Sequence, residues 1–227
     1  MYFDVTFILL IPCIILGVYA QSKVSRTYHK YNSVPNLQGY SGMDVARKML
    51  DDNGLYNVTI SQIGGELSDH YDPRAQEVRL SYDVYYGDSI SAVGIAAHEV
   101  GHAIQHAKGY FPLRIRNMVI PMTNFGSFLY LPLLILGIVL SSTPLIRWGI
   151  LLFTLIVFFQ VITLPVEFNA SHRAITTLGG EGILQADELT GAKSVLGAAA
   201  LTYVAAAVTA IFQLLRLILI FGGGRSD

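Results

Sequence analysis

Two histidines separated by three residues stand near the middle of the chain, in the segment AAHEVGHAIQH. His98, Glu99 and His102 follow the order H-E-x-x-H. On a helix, residues i and i+4 lie one above the other about 6 Å apart, so two imidazoles can bind one metal ion. A glutamate directly after the first histidine points aside and can reach a metal-bound water. The spacing therefore predicts a site for one zinc ion, with Glu99 as general base toward a zinc-activated water.

The residues around the motif favour a helix that lies across the floor of a cleft. Ser89 or Ser91 can cap a helix that runs to Lys108, and Gly109 can end it. At about 100° per residue, apolar side chains gather within an arc of roughly 80°, opposite the motif side chains. These apolar residues are Ile90, Val93, Ala97, Val100 and Ile104. The pattern predicts one core-facing stripe and one face that carries the chemistry.

Charged side chains are scarce, because only 14% of the 227 residues are charged and 52% are hydrophobic. Soluble domains carry about 25% charged residues. The apolar residues form runs long enough to cross a bilayer, which takes about 20 residues. Lys23, Arg26 and Lys30 follow the first run, and Arg114 and Arg116 precede the second. These cations predict an N-terminus outside and a cytoplasmic segment between the two runs. The net charge of −1 gives no reason to expect nucleic acid as a partner.

The apolar runs divide the chain into five predicted segments. They are a transmembrane helix (1–21), a catalytic domain with the motif (22–117), a transmembrane hairpin of helices 2 and 3 (118–164), a helix and linker with a third metal ligand (165–194), and transmembrane helix 4 with the tail (195–227). We therefore predict a mostly α integral membrane protein with about four transmembrane helices. A small α+β zinc-metalloprotease domain is inserted between the first and second spans.

Within the predicted catalytic domain, local patterns give the order helix, strands, helix. A helix is predicted over 41–54, a strand over 58–63, a turn over 70–76 and a second strand over 77–81. The strands, which end at Leu80 and Ser81, could offer an edge to an extended peptide substrate, or simply cover the motif helix.

The third metal ligand must come from outside the five residues of the H-E-x-x-H motif. His106 lies eight residues after His98, which is about 12 Å of rise on an unbroken helix and too far for bonds near 2 Å. No glycine follows His102 closely enough to break the helix. We therefore interpret His106 as a surface histidine or as a residue that supports the site indirectly.

The segment LPVEFNASHRA offers a better ligand. Two predicted crossings separate it from the motif, so it returns to the same side of the membrane. A carboxylate at the end of an apolar helix is costly unless it is paired or metal-bound, which favours Glu167 as ligand over a simple interfacial cap. His172 is the rival, and it lies about 140° around a helix from Glu167, so both cannot bind one ion. Ser171 shares the face of Glu167 and is expected to orient it.

With HEVGHAIQH, LPVEFNASHRA and LSDHYDPRAQEVRLS together, the chain resembles a bacterial family of small membrane-bound neutral zinc metallopeptidases over essentially its whole length. It is more distantly similar to gluzincins, whose third ligand is a glutamate on a second helix and which include membrane enzymes of protein quality control. The resemblance implies a zinc endopeptidase with His98, His102 and Glu167 as ligands and Glu99 as catalytic base.

The sequence departs from the gluzincin pattern at one position. Many gluzincins carry an aspartate four residues after the ligand glutamate, where it supports a zinc-bound histidine. Ser171 occupies that position here, and the nearest amide is Asn169. The group that orients His98 or His102 is therefore left open.

A peptidase also needs a group that stabilises the oxyanion. The candidates in the sequence are His70, His172, Arg173, Tyr82, Tyr85 and Tyr86. For each of them a structural role is favoured over a catalytic one.

Three functions follow from these patterns. The leading one is a membrane-bound zinc metalloendopeptidase that cleaves membrane or membrane-proximal proteins at the cytoplasmic surface of a bacterial plasma membrane, with protein or peptide substrates and the lipid bilayer as partners. The alternatives are an intramembrane-cleaving zinc protease and a non-enzymatic scaffold stabilised by zinc. Four protein ligands would indicate the scaffold, and three ligands with an open position would indicate catalysis.

Overall fold

A computed structural model describes residues 5–221 as a mostly helical chain with one small sheet. In chain order the α-helices are α1 (Ile11–Asn32), α2 (Gly42–Asp52), α3 (Tyr82–Tyr86), α4 (Ile90–Ala107), α5 (Phe111–Val139), α6 (Thr143–Gly180) and α7 (Ala186–Phe221). The strands are β1 (Thr59–Ile63), β2 (His70–Asp72) and β3 (Glu77–Ser81), and a short 3-10 helix (Val5–Leu10) precedes α1. The start of the predicted first span and the predicted tail after Phe221 lie outside the described residues.

The chain forms two compact units. Among the described residues, the apolar unit comprises 5–20, 114–164 and 202–221, and the motif unit comprises 21–113 and 165–201. The predicted fold class is confirmed in its coarse features, since the chain is mostly helical and has four long apolar helices and a three-stranded sheet.

The apolar unit is built from helices that bury only a small share of their hydrophobic side chains. Four helical stretches are long and apolar enough to cross a membrane: Thr6–Asn32, Phe111–Val139, Thr143–Gly180 and Ala186–Phe221. A small core in this unit is made by Leu134, Phe153, Val157, Ala210 and Leu217. Outward-facing side chains such as Phe128 and Met118 are 78% and 75% exposed. Exposed apolar area on this scale indicates contact with lipid or with another protein.

The third apolar helix is longer than the sequence predicts. The third span was expected to end at Leu164 and to be followed by a separate helix and linker over 165–194, with Pro165 tolerated near a helix start or kink. Instead α6 continues through Pro165 to Gly180. Beyond the proline, apolar side chains recur at helical spacing and are fully buried, namely Val166, Ala170, Ala174 and Leu178. Burial of this stripe stabilises the continued helix more than the missing hydrogen bond costs.

The sheet of the motif unit has the order β1-β3-β2, with β1 parallel and β2 antiparallel to β3. β2 lies within the segment predicted as a turn, because its three residues pair with β3 over His70 to Asp72. β3, which ends at Leu80 and Ser81, is therefore the central strand: it pairs with β1 along its whole length and with β2 over residues 77–79. Over residues 77–79 it has no free edge for a peptide, and the outer strands of the sheet are β1 and β2.

The motif helix α4 begins and ends as its sequence predicts. The hydroxyl of Ser89 caps it by accepting a hydrogen bond from the Ala92 N–H (3.0 Å). Gly109, with a positive φ of 61°, follows its C-cap. The predicted apolar stripe is buried, but so are Ala92, Ala96 and Ala103 on other faces. α4 is therefore surrounded by the motif unit rather than lying on an open floor.

Glycines set how closely other helices approach α4. A Cβ at Gly101 would lie 2.8 Å from the carbonyl oxygen of Ala170 in α6. Real Cβ atoms do not approach backbone that closely, so only glycine permits this contact. A Cβ at Gly94 would lie 3.5 Å from the Cβ of Ala192 in α7, which is an ordinary contact. The α4–α6 contact therefore depends on glycine, and the α4–α7 contact does not.

We predict that Gly101→Ala destabilises the protein and that Gly94→Ala does not. Overpacking a rigid contact costs about 1–3 kcal/mol, which lowers the thermal midpoint by roughly 2–4 °C per kcal/mol for a chain of this size. At Gly94 the gain in helix propensity is about 0.5–1 kcal/mol. Thermal unfolding of both variants in detergent checks the prediction, and equal midpoints for the two would contradict it.

Candidate active site

Three predicted site residues come together between α4 and α6. The Glu167 Oε2 atom lies 3.3 Å from His98 Nε2 and 3.5 Å from His102 Nε2. The two imidazole rings stand nearly perpendicular, at 87°, with centroids 4.7 Å apart. The ligand-type atoms of these three residues all lie within 4.8 Å of one another. One turn of α4 and one residue of α6 thus form a single cluster.

The cluster has the chemistry and spacing of a catalytic zinc site. Two imidazole nitrogens and one carboxylate oxygen are a ligand set found in zinc hydrolases. Two bonds of about 2.0–2.2 Å at a tetrahedral angle separate ligand atoms by about 3.3–3.6 Å, which matches the distances from Glu167 to both histidines. The histidine side chains are 13% and 12% exposed and that of Glu167 is 5% exposed. The residues therefore fit one zinc ion that remains reachable from solvent.

Each histidine of the cluster is held at its other ring nitrogen. His98 Nδ1 lies 3.1 Å from Ser171 Oγ, and His102 Nδ1 lies 3.0 Å from Gln105 Oε1. Ser171 follows Glu167 by one helical turn and was expected to orient it. The structure instead places the Ser171 hydroxyl against His98. Such contacts fix the ring orientation and raise the basicity of a ligand nitrogen.

Gln105 is a site residue that the sequence reasoning missed. It was considered only as part of an unbroken helix, yet its side chain is fully buried and contacts His102. The sequence contains one indication of this contact: Gln105 follows His102 by three residues and therefore lies on nearly the same face of α4. A glutamine between Ile104 and His106 is not remarkable in sequence until the covering helix is known.

Glu99 lies buried next to the cluster, with 8% of its surface exposed. Burial raises the pKa of the Glu99 carboxyl above its ordinary value, while His98 and His102 act in the opposite direction. The pKa of His102 is also raised: burial lowers it, but the neighbouring carboxylates of Glu167 and Glu99 outweigh burial. The electrostatic interactions link Glu99 to both histidines of the motif.

The other candidate residues lie outside the cluster. His106 is exposed, and its Nδ1 atom lies 2.9 Å from the hydroxyl of Tyr71. His172 is exposed as well, and it does not belong to the ligand group found among the described residues. Arg173 donates through Nε to Asn169 Oδ1 at 2.8 Å.

The remaining oxyanion candidates have other contacts. Tyr85 and Tyr86 pack edge to face at 4.7 Å, and Tyr82 packs on Tyr86 at 5.0 Å. His70 Nδ1 lies 2.8 Å from the carbonyl oxygen of Ser68. Among the contacts of the described residues, none joins these side chains to the His98–His102–Glu167 cluster.

Comparison with known proteins agrees with this geometry. Residues 6–222 match the family described as "Putative neutral zinc metallopeptidase". A curated relative from Bacillus subtilis (strain 168), "Putative membrane protease YugP", is 50% identical over 213 residues, which cover 93% of this chain and 94% of the relative. No solved structure gives a significant match. Since the match spans nearly the whole chain, including both helices of the cluster, the protein belongs to the family of putative neutral zinc metallopeptidases.

Proposed function

We propose that the protein is a membrane-bound zinc metalloendopeptidase that hydrolyses peptide bonds of membrane or membrane-proximal proteins. The observation that carries this proposal is the convergence of His98 Nε2, His102 Nε2 and Glu167 Oε2 on one point. The membership of the protein in the putative neutral zinc metallopeptidase family supports the same activity, and so does the name of its Bacillus relative.

In this proposal His98, His102 and Glu167 hold one zinc ion. When bound, zinc supplies a Lewis acid that polarises a carbonyl and lowers the pKa of a bound water to about 7. The Glu99 carboxylate would take a proton from a water whose oxygen adds to the peptide carbonyl carbon, and would pass that proton to the amine nitrogen as the C–N bond breaks.

A catalytic role is favoured over a structural zinc site. The ligand group among the described residues contains three members, and structural zinc sites are closed by four protein ligands. The histidine side chains also remain slightly exposed, so that a water and a substrate can approach. These features support hydrolysis rather than a zinc-stabilised scaffold.

A site at the membrane surface is favoured over one inside the bilayer. α4 is not among the described helices that are long and apolar enough to cross a membrane. Glu167 belongs to such a helix, but it lies past Leu164, where the chain passes from the apolar unit to the motif unit. We therefore propose cleavage at the interface, by the motif unit, whose larger segment lies between the first and second spans.

The proposed location is a bacterial plasma membrane, with the N-terminus outside and the site in the cytoplasm. Lys23, Arg26 and Lys30 follow the first apolar run, and Arg114 and Arg116 lie at the start of the second. Cations of this kind stay on the cytoplasmic side. The first group lies at the start of the motif unit, and the second directly follows its segment 21–113, which supports a cytoplasmic position for that unit.

Glu99→Gln should retain zinc and lose peptidase activity. The amide keeps the size of the side chain but cannot accept the proton, and a general acid–base group contributes about 10²–10⁴-fold. Casein cleavage and zinc content of the purified protein measure the two effects. Activity comparable with that of the wild type in a zinc-loaded Glu99→Gln variant would refute the role of Glu99.

Glu167→Ala should lose stoichiometric zinc, and His172→Ala should keep it. Removing one of three protein ligands weakens a zinc site strongly, whereas His172 is exposed and lies outside the ligand group. Metal analysis after dialysis against a weak chelator compares the variants. The opposite result, with zinc lost only in His172→Ala, would assign the third ligand to His172.

The proposed orientation can be tested with single cysteines. Cys13, the only native cysteine, is replaced by Ala, and Thr143→Cys or Asp187→Cys is introduced at an exposed position. A membrane-impermeant maleimide should label Cys at position 143 in intact cells and Cys at position 187 only after permeabilisation. The reverse pattern would place the site outside the cell.

A further inference from the structure

A chain of buried and partly buried polar contacts runs behind the candidate zinc site. Its members, here called the Gln105 network, are Arg173, Asn169, Gln105, His102 and the carbonyl of Val166. Gln105 Nε2 lies 2.8 Å from Val166 O and 3.0 Å from Asn169 Oδ1. Gln105 Oε1 lies 3.0 Å from His102 Nδ1, and Arg173 Nε lies 2.8 Å from Asn169 Oδ1. The network joins α4 to the helix that carries Glu167.

Burial makes these contacts obligatory. Gln105 has no exposed surface, and a buried amide without partners costs about 1–3 kcal/mol for each polar group left unsatisfied. Both ends of the Gln105 amide have partners at normal hydrogen-bond distances. The side chain therefore occupies one defined arrangement.

The direction of every hydrogen bond in the network follows from its two ends. The guanidinium of Arg173 can only donate, so the Asn169 atom that faces it must be the oxygen. The backbone carbonyl of Val166 can only accept. The end of Gln105 that faces both acceptors must therefore be its NH₂ group, which leaves Oε1 toward His102.

The consequence falls on His102. Because Gln105 Oε1 can only accept, His102 Nδ1 must carry a hydrogen. In the neutral ring, Nε2 then has the lone pair, and this is the atom 3.5 Å from Glu167 Oε2. A histidine binds a metal through its unprotonated nitrogen, which the hydrogen bond at the other nitrogen selects.

We propose that Gln105 is a positioning residue that selects the metal-binding tautomer of His102 and ties it to the segment of α6 that carries Glu167. Val166 immediately precedes Glu167, so one amide holds both the second ligand and the backbone of the third. Asn169 and Arg173 follow Val166 by three and seven residues, which places all three on one face of α6. This inference rests on the proposed zinc site.

No equivalent contact selects the tautomer of His98. Its Nδ1 atom contacts Ser171 Oγ, and a hydroxyl can either donate or accept. Ser171 therefore orients the His98 ring without determining which of its nitrogens carries the hydrogen. Of the two motif histidines, His102 is the one whose protonation pattern is fixed by its surroundings.

Gln105→Leu tests the proposal, because leucine has a similar volume and no polar group. Second-layer partners of zinc ligands typically contribute 10–100-fold to metal affinity, so the zinc dissociation constant should rise by about that factor in a chelator competition titration. Ser91→Ala is the matched control: Ser91 is buried in the same helix and donates to the Tyr28 carbonyl oxygen at 3.1 Å, away from the cluster. It should bind zinc as the wild type does. An affinity of Gln105→Leu within twofold of wild type would overturn the proposal.

A second measurement requires neither zinc nor a variant of Gln105. Long-range ¹H–¹⁵N correlation spectra of the metal-free wild type, at a pH where its imidazoles are neutral, distinguish the two tautomers of each histidine. The His102 signals are assigned by their loss in His102→Gln. We expect the hydrogen on Nδ1, and a dominant Nε2–H form would overturn the proposal even if Gln105→Leu failed to fold.

The two experiments separate this inference from the proposed function. A wild type without bound zinc or peptidase activity would count against the zinc peptidase, while the tautomer of His102 would still decide the role of Gln105. A wild type that binds zinc and cleaves casein, combined with unchanged affinity in Gln105→Leu, would refute only the positioning role.

Discussion

The close approach of α4 and α6 at Gly101 is the contact on which the candidate site depends. Gly101 faces the carbonyl of Ala170, and there is no room for a Cβ between the two helices. His98 and His102 flank this glycine on α4, and Glu167 lies one turn before Ala170 on α6. The distances of 3.3 and 3.5 Å from Glu167 to the histidines exist because the backbones approach this closely. A larger residue at position 101 would push α4 away from α6, and would thereby move His98 and His102 away from Glu167.

The same contact lets a buried polar layer form beside the ligands. Gln105 and Ser171 each reach across the helix pair, one from α4 and the other from α6, and each contacts one motif histidine. Burial of these polar groups would be unfavourable in isolation. Because they satisfy one another, the layer holds the two imidazoles in defined orientations inside an otherwise apolar core. The precision of the proposed zinc site therefore comes from packing and hydrogen bonding outside the ligands themselves.

The long helix α6 carries Glu167 and has residues in both the apolar unit and the motif unit. It begins among helices whose apolar side chains are exposed, and past Pro165 it contributes a fully buried stripe to the motif unit. Glu167 lies on the part of this helix that belongs to the motif unit, three residues after the last residue of the apolar segment 114–164. This arrangement agrees with the proposed cleavage of proteins in or near a membrane.

The local pattern of residues in the sequence was sufficient to predict several features of this protein. The spacing of His98 and His102, a helix start at Ser89 or Ser91 and the four apolar runs are set by residues close together in the sequence, and helical periodicity governs them directly. Glu167 was proposed as a ligand by counting membrane crossings, which depends only on the order of the apolar runs. Contacts between distant segments decided the rest. The continuation of α6 through Pro165, the central position of β3 and the partners Gln105 and Ser171 all depend on which surface packs against which. A glutamine at position 105 is an ordinary helical residue until α6 covers it, because burial and hydrogen-bond partners are properties of the folded chain and not of its local sequence.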